Sequence, residues 1–323
     1  MKAVIYTEYK GAESLRMAEV PKPTPLDNEV LIKVHAVSVN DWDYALLQPD
    51  LFNRLMSGWY KPKRPIIGSD IAGQIESVGS GVTTFKPGDE VYGDLSGRWG
   101  GFAEYVCAPE GALALKPASM TFADAAAIPQ AAMLAAQGLI DKGKLQPGQK
   151  LLINGAGGGV GTFGIQIARS IGVDNITVVD KEEKLTLLQS LGATQCLNYA
   201  KEDFTKNGQT YDLILDAKTN RPISHYLRAL NPGGQYVTVG GDLSCLFKVF
   251  LSLPWVNTLS KKNVRIVALK ANKDLAYINK LYEAGQLKCV IDAHHYTLAE
   301  APQAMQYFGT ADHKGKIVIS VPV

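Results

Sequence analysis

At 323 residues the chain is long for a single core and suits two domains of ordinary size. Its 46% hydrophobic and 20% charged residues exclude a disordered or low-complexity chain, and 33 basic against 31 acidic residues leave too small an excess to drive nucleic-acid binding. Cys107, Cys196, Cys245 and Cys289 lie far apart, with no Cys-x-x-Cys and no Cys/His pair at ligand spacing, so neither a structural zinc nor a secreted disulfide framework is expected.

The opening MKAVIYTEYKG has no apolar signal-peptide region and reads as a first strand. From Met1 to about Ala118 short strand-like runs alternate with turn signals. Glu29 to Val39 alternates in part between apolar and polar residues, and Ile71 to Val78 is followed by GSG and later by KPGD. This texture predicts a partly open β-barrel. Thr121 to Leu139, rich in Ala and Leu, predicts a helix that starts near Asp124 and is interrupted by Pro129.

A strict alternation follows: strand Lys150 to Asn154, turn Gly155 to Gly161, helix Thr162 to Ile171, strand Ile176 to Asp180 and helix Glu182 to Leu191. Strand Asp212 to Asp216, a helix near His225 to Leu230, the turn NPGG and strand Gln235 to Val239 continue it. Strand and helix in this order predict an α/β fold, a doubly wound parallel sheet with helices on both faces. The text turns mixed again from about Lys261 and closes on the strand pattern Lys316 to Val321. The most apolar run, Leu246 to Trp255, is broken by Lys248, Ser252 and Pro254 and falls short of the roughly 20 residues that span a bilayer. No membrane partner is expected, and the expected location is the cytoplasm.

The segment LLINGAGGGVGTFGIQIA, Leu151 to Ala168, carries the clearest chemical signal. Aligned on its last glycine, the dinucleotide fingerprint G-x-G-x-x-G falls on Ala156, Gly158 and Gly161. Gly158 lets the main chain approach a diphosphate, Gly161 lets helix and strand pack closely, and the amides of Gly159 and Val160 face an anion at the helix start. A lone fingerprint marks a tight turn as often as a ligand. Here strand, turn, helix, second strand and a terminal acid, Asp180, occur in the required order. An acid in that place accepts from ribose hydroxyls and favours NADH. Lys181 and Lys184, with Tyr199 after the next strand, suit a 2′-phosphate instead, so NADPH is the expected cofactor and NADH the alternative.

Over essentially its whole length the sequence resembles the zinc-independent quinone oxidoreductase (zeta-crystallin-like) branch of the medium-chain dehydrogenase/reductase superfamily. The resemblance rests on Asn40, PIIGSDIAG at Pro65 to Gly73, KPGDEVYG at Lys86 to Gly93, GGFAEYV at Gly100 to Val106, AAAIP at Ala125 to Pro129 and the GGGVG turn, with LYEAGQLKCVID and HKGKIVISV near the end. It implies a GroES-like barrel, residues 1–122 and 263–323, into which a Rossmann domain, residues 123–262, is inserted. The nicotinamide would lie in the cleft between them. Zinc alcohol dehydrogenases of the superfamily carry Cys where this chain has Asn40, Gly-His-Glu where it has Gly68-Ser69-Asp70, and a further Cys near Gln130. With all three donors replaced, no zinc is expected.

The resemblance places Asn40 beside the nicotinamide. Tyr44 and Tyr60 are candidate proton donors, although such aromatics more often wall an apolar pocket. Gly240 and Gly241, ending a sheet strand, are expected cofactor neighbours, because a side chain there would obstruct the nicotinamide. Asp70 and Glu104 read as structural acids that bond main-chain groups. Leu134 replaces a Thr common in the family, and His294 and His295 carry no assigned chemistry. Leu243 to Leu259 would cover the cleft, contribute to a dimer contact or be plain core. The expected activity is hydride transfer to a quinone, an enone or a related α,β-unsaturated carbonyl by a homodimer. The alternatives are a zinc-free alcohol or aldehyde oxidoreductase and a non-catalytic cofactor-binding protein of crystallin or RNA-binding type.

Overall fold

In the computed structural model, which describes residues 1–322 and all their side chains except those of Phe52, Asn53, Met56, Leu243 and Leu259, the chain folds as two units. The first comprises Met1–Gln130, Ala271–Asn279 and Ile291–Val323, and the second Ala131–Lys270 and Lys280–Val290.

The first unit opens with an antiparallel ribbon, β1 (Lys2–Ile5) and β2 (Arg16–Glu19). Strand β3 (Glu29–Ser38) then runs ten residues and is buried along nearly all of them. Helices α1 (Asp41–Leu46) and α2 (Leu51–Ser57) follow, then β4 (Asp70–Val78), β5 (Glu90–Asp94), β6 (Tyr105–Pro109) and β7 (Ala114–Leu115). β3 pairs with β4 almost end to end, with β6 along its first half and with the late strand β15 (Val318–Ser320) along its last residues, all antiparallel. The incomplete alternation of its sequence has this cause: a central strand covered on both faces needs apolar residues on both. Val30, Ile32, Val34, Val37, Ile71, Ile75, Val91 and Phe102 form the core of this sheet. Full burial of each large aliphatic side chain contributes roughly 1.5–3 kcal/mol.

Helix α3 (Phe122–Ala127) starts two residues earlier than expected, because Thr121 Oγ1 accepts the Asp124 N–H and caps it. The break before α4 (Pro129–Ala136) falls at the proline, as its missing donor requires. In the second unit β8 (Lys150–Asn154), α5 (Gly159–Ser170), β9 (Asn175–Asp180), α6 (Glu182–Ser190), β10 (Gln195–Asn198), β11 (Tyr211–Asp216), α7 (Ile223–Arg228), β12 (Leu230–Thr238), α8 (Leu243–Leu259) and β13 (Asn263–Ile266) follow in order. The six strands are parallel, in the order β10-β9-β8-β11-β12-β13. This is the 3-2-1-4-5-6 arrangement of a dinucleotide-binding sheet, with its switch point between β8 and β11. α9 (Leu275–Glu283), β14 (Tyr296–Thr297), α10 (Ala301–Thr310) and β15 complete the chain. The expected α/β class, a doubly wound parallel sheet with a GroES-like β unit, is the observed one.

Candidate active site

α5 begins at Gly159, three residues earlier than its sequence suggests, so Gly159, Val160 and Gly161 form its first turn. Close packing explains the shift. A Cβ on Gly161 would lie 2.3 Å from the Ala156 backbone, so only glycine lets the helix start this near the strand it follows. Gly158, the N-cap residue, supplies no side-chain cap, and a Cβ there would meet no protein atom within 4 Å. An uncapped helix start with open space in front of its amides has the properties of a diphosphate cradle.

Asp180 closes the turn from behind. Its Oδ2 accepts the Gly157 N–H at 2.7 Å and its Oδ1 accepts the Lys181 N–H at 2.8 Å, while Lys184 Nζ lies 3.8 Å away. Asp180 and Lys184 are both buried. The acid therefore fixes the turn as well as standing at the end of β9. Tyr199 donates its backbone N–H to the Asp180 carbonyl at 3.3 Å and leaves its ring exposed. Gly240 and Gly241 differ in kind. Thr219 backbone atoms exclude a side chain at Gly241, whose φ is +135°, whereas a Cβ on Gly240 has only the Ala217 carbonyl at 3.9 Å near it.

At the carboxyl ends of β8, β11 and β12 lies a buried network that sequence reading did not single out. Asp216 accepts from Asn154 Nδ2 at 2.8 Å, Tyr236 OH at 2.7 Å and the Lys218 N–H at 3.0 Å. Burial raises the Asp216 pKa against these donors and raises those of Tyr226 and Tyr236 as well. The network ties neighbouring strand ends together beside the glycine turn.

The first unit holds a second buried polar cluster, around Asn40. Asn40 Nδ2 donates to Ser69 Oγ at 3.1 Å, and its backbone N–H donates to Asp43 Oδ2 at 3.1 Å. Ser69 Oγ also donates to Asp43 Oδ2 at 3.2 Å, and Asp43 Oδ1 takes the Gly68 N–H at 3.1 Å. Lys316 enters from the far end of the chain: Nζ donates to the Val39 carbonyl at 3.0 Å and to Asn40 Oδ1, and lies 3.8 Å from Asp70 Oδ2. Asp70 Oδ2 accepts the Gln130 N–H at 3.1 Å, and Gln130 Nε2 donates to Ser96 Oγ at 3.0 Å. Asp43, Asp70 and Lys316 are all buried. Burial pushes the Asp43 pKa up to about 7, against hydrogen bonds from Gly68 and Asn40 and the charge of Lys316. Burial likewise raises Asp70 well above the ordinary carboxylate range and lowers Lys316, each partner opposing the effect on the other.

Tyr44 lies one turn along α1 from Asn40, and its backbone N–H donates to the Asn40 carbonyl at 3.1 Å. The Tyr44 ring packs 5.7 Å from that of Phe308, and a Cβ on Gly309 would lie 2.7 Å from its hydroxyl, so Tyr44 sits on α10. Tyr60 is 90% exposed. Glu104 Oε2 accepts the Lys2 N–H at 2.7 Å, a main-chain bond of the kind expected of it and of Asp70.

The chain matches the alcohol dehydrogenase GroES-like domain family over residues 26–118 and the zinc-binding dehydrogenase family over residues 191–319. It is 31% identical to the chloroplastic quinone-oxidoreductase QR1 of Triphysaria versicolor across 99% of this chain and 98% of that protein. The chain belongs to the quinone oxidoreductase branch of the medium-chain dehydrogenase/reductase superfamily. Another member, the chloroplastic NADPH-dependent alkenal/one oxidoreductase of Arabidopsis thaliana, is 30% identical over 99% of this chain and 79% of its own length. Among solved structures, the quinone oxidoreductase from Coxiella burnetii superposes with a TM-score of 0.90 at 27% identity, covering 100% of this chain and 99% of that one.

One matching family is described as zinc-binding, and the residues here do not fit the metal. Asn40, Ser69 and Gln130 offer amide and hydroxyl groups already committed to one another, to Ser96 or to Lys316. The amide oxygen of Asn40, its one lone-pair donor, accepts from the Lys316 ammonium. Sequence reading treated Lys316 only as part of a terminal strand pattern. Its place at the head of the apolar run Ile317 to Val321 was the available signal, since a lysine buried there requires a partner.

Proposed function

We propose that this chain is an NADPH-dependent reductase that delivers hydride to quinones, enones and related α,β-unsaturated carbonyls without zinc. The observation that carries the reading is the donor set around Asn40, which offers hydrogen bonds where zinc relatives offer metal ligands. Hydrogen-bond donors suffice for acceptors already activated by conjugation, and much less so for a simple alcohol or ketone. The names and identities of the relatives support the same acceptors and the same cofactor.

Bound NADPH supplies the hydride. The amides of Gly158, Gly159, Val160 and Gly161, with Ala156 beneath them, hold the diphosphate, and Gly240 leaves room for the cofactor. Lys181, Lys184 and Tyr199 serve the adenosine end, where Asp180 orders the turn. Asn40 has its amide oxygen held by Lys316 and one N–H by Ser69, which leaves its second N–H to donate to cofactor or substrate. The ammonium on the oxygen polarises the amide and strengthens that donor. Tyr44 and Tyr60 are the proposed sources of the proton that completes reduction of a carbon-carbon double bond.

The domain boundaries proposed from the sequence are 1–122 with 263–323 and 123–262, whereas the two compact units divide after Gln130 and after Lys270 and assign Lys280–Val290 to the second. A homodimer is proposed through the edge strand β13, and the proposed location is the cytoplasm. Among the described residues no helix is long and apolar enough to cross a membrane.

The test is consumption of NADPH against a panel of quinones, enones, simple ketones and aldehydes. Turnover confined to the conjugated acceptors is expected; turnover of simple carbonyls alone, or of none while NADPH still binds, overturns the reading. Replacing Asp180 by Ser tests the cofactor assignment. The NADPH-to-NADH ratio of kcat/KM is expected to rise severalfold while both values fall through loss of the Gly157 anchor, and an unchanged ratio would remove Asp180 from the ribose.

A further inference from the structure

Helix α8 is apolar on two sides. Val249, Leu253 and Val256 pack on the core of the second unit. On the opposite side Phe247, Phe250, Leu251 and Trp255 are 62%, 59%, 55% and 71% exposed. Their spacing of three, four and eight residues along the helix puts them in one stripe. Single exposed apolar residues are ordinary in a folded chain, but two phenylalanines, a leucine and a tryptophan on one helical face are not. The stretch is rich in positive charge: from Leu243 to Lys270 the sequence has Lys248, Lys261, Lys262, Arg265 and Lys270 and no Asp or Glu, the neighbouring acid being Asp242, which caps α8. Lys248 and Lys261 are exposed, while Lys262 is held on the Leu227 carbonyl.

We propose that this face of α8 docks on an anionic lipid surface, with Phe247, Phe250, Leu251 and Trp255 entering the headgroup boundary and the basic residues facing acidic headgroups. The combination of an apolar stripe, an interfacial tryptophan and flanking cations is what holds a helix flat on a bilayer. A second copy of the chain is the poorer occupant. An isologous contact through this face would set Lys248 and its neighbours against their own copies with no acid in the segment to offset them. A segment too short to span a membrane can still lie on one, so the length test applied to the sequence does not bear on this mode of binding. The location suits an enzyme whose acceptors include lipophilic quinones, but the docking rests on the surface alone.

The whole protein, sedimented with vesicles, provides the test. Vesicles of phosphatidylcholine and phosphatidylserine in equal parts are expected to carry the chain down at low salt, at least about tenfold more tightly than phosphatidylcholine alone. Trp255 emission should move to shorter wavelength on binding, a change absent from Trp255→Gln. Lys248→Glu and Lys261→Glu should each weaken binding about fivefold or more, and Phe247→Ser/Phe250→Ser should abolish it. All these variants should keep the solution rate toward a water-soluble quinone. Absence of binding to either vesicle, or binding that survives every variant, overturns the proposal. So does a concentration-dependent dimer that Phe250→Ser dissolves, which would assign the face to a second copy. Activity without vesicle binding defeats only the docking, whereas vesicle binding without activity defeats only the reductase reading.

Discussion

The glycine turn of the second unit and the Asn40 cluster of the first are both polar sites set in apolar surroundings, but they are made of different material. The turn works through backbone amides, and its side chains matter mostly by their absence at Gly158 and Gly161. The cluster works through charged side chains from three distant stretches of chain, with Asn40 and Lys316 separated by 276 residues. A backbone site is local and tolerant of sequence around it. A side-chain site is assembled by the whole sheet and depends on each partner for the neutrality of the rest.

This difference can be broken first at Gly161. Gly161→Val places atoms against the Ala156 backbone, which has no freedom to retreat, so the variant is expected to lose the packing of α5 and all cofactor binding, seen as a collapse of the thermal midpoint and of NADPH titration. Next in size is Lys316→Met, which leaves Asp70 buried without its cation. A loss of about 3–5 kcal/mol in denaturant unfolding is expected, partly recovered in Lys316→Met/Asp70→Asn. No recovery in the double variant would show that the lysine acts by packing alone.

Gly158→Ala sharpens the contrast because the protein itself leaves room for the methyl group. Stability should stay within about 0.5 kcal/mol, while the Kd for NADPH rises tenfold or more; equal affinity would mean that no diphosphate approaches this residue. The smallest effect concerns pH. Asp43 is pushed up to about 7 by burial, so between its ordinary pKa and about pH 7 the folded chain holds a proton that the unfolded chain has released. Stability contributed by this group therefore falls as pH rises across that window and is flat above it. Asp43→Asn should remove that part of the slope in unfolding curves taken across the window, and an unchanged slope would locate the proton elsewhere.

The same contrast governs how much could be read in advance. The parallel sheet was legible because β8, β9, β11 and β12 each carry a mostly apolar stretch and alternate with helical segments, while the short, more polar β13 (Asn263–Ile266) gave no such signal. The helix start was placed three residues late because the glycine run Gly155 to Gly161 reads throughout as turn, whereas Gly159, Val160 and Gly161 form the first turn of α5. Asn40, Ser69, Asp70 and Gln130 were brought together through family resemblance, but Lys316 was not. Nothing in the local sequence of Lys316 shows that β15 pairs with β3 and so delivers its ammonium to Val39 and Asn40. Tyr44 and Tyr60 were chosen by proximity to Asn40 in sequence; the Tyr44 ring packs beside Phe308 of α10, and Tyr60 is exposed in the segment after α2.

The central claim is hydride transfer from NADPH to a conjugated acceptor with hydrogen-bond donors in place of a metal. Its most direct test is the quinone reduction rate of protein dialysed exhaustively against a zinc chelator. The rate should equal that of untreated protein and stay unchanged on adding zinc; a rate lost on dialysis and restored by stoichiometric zinc would contradict the account.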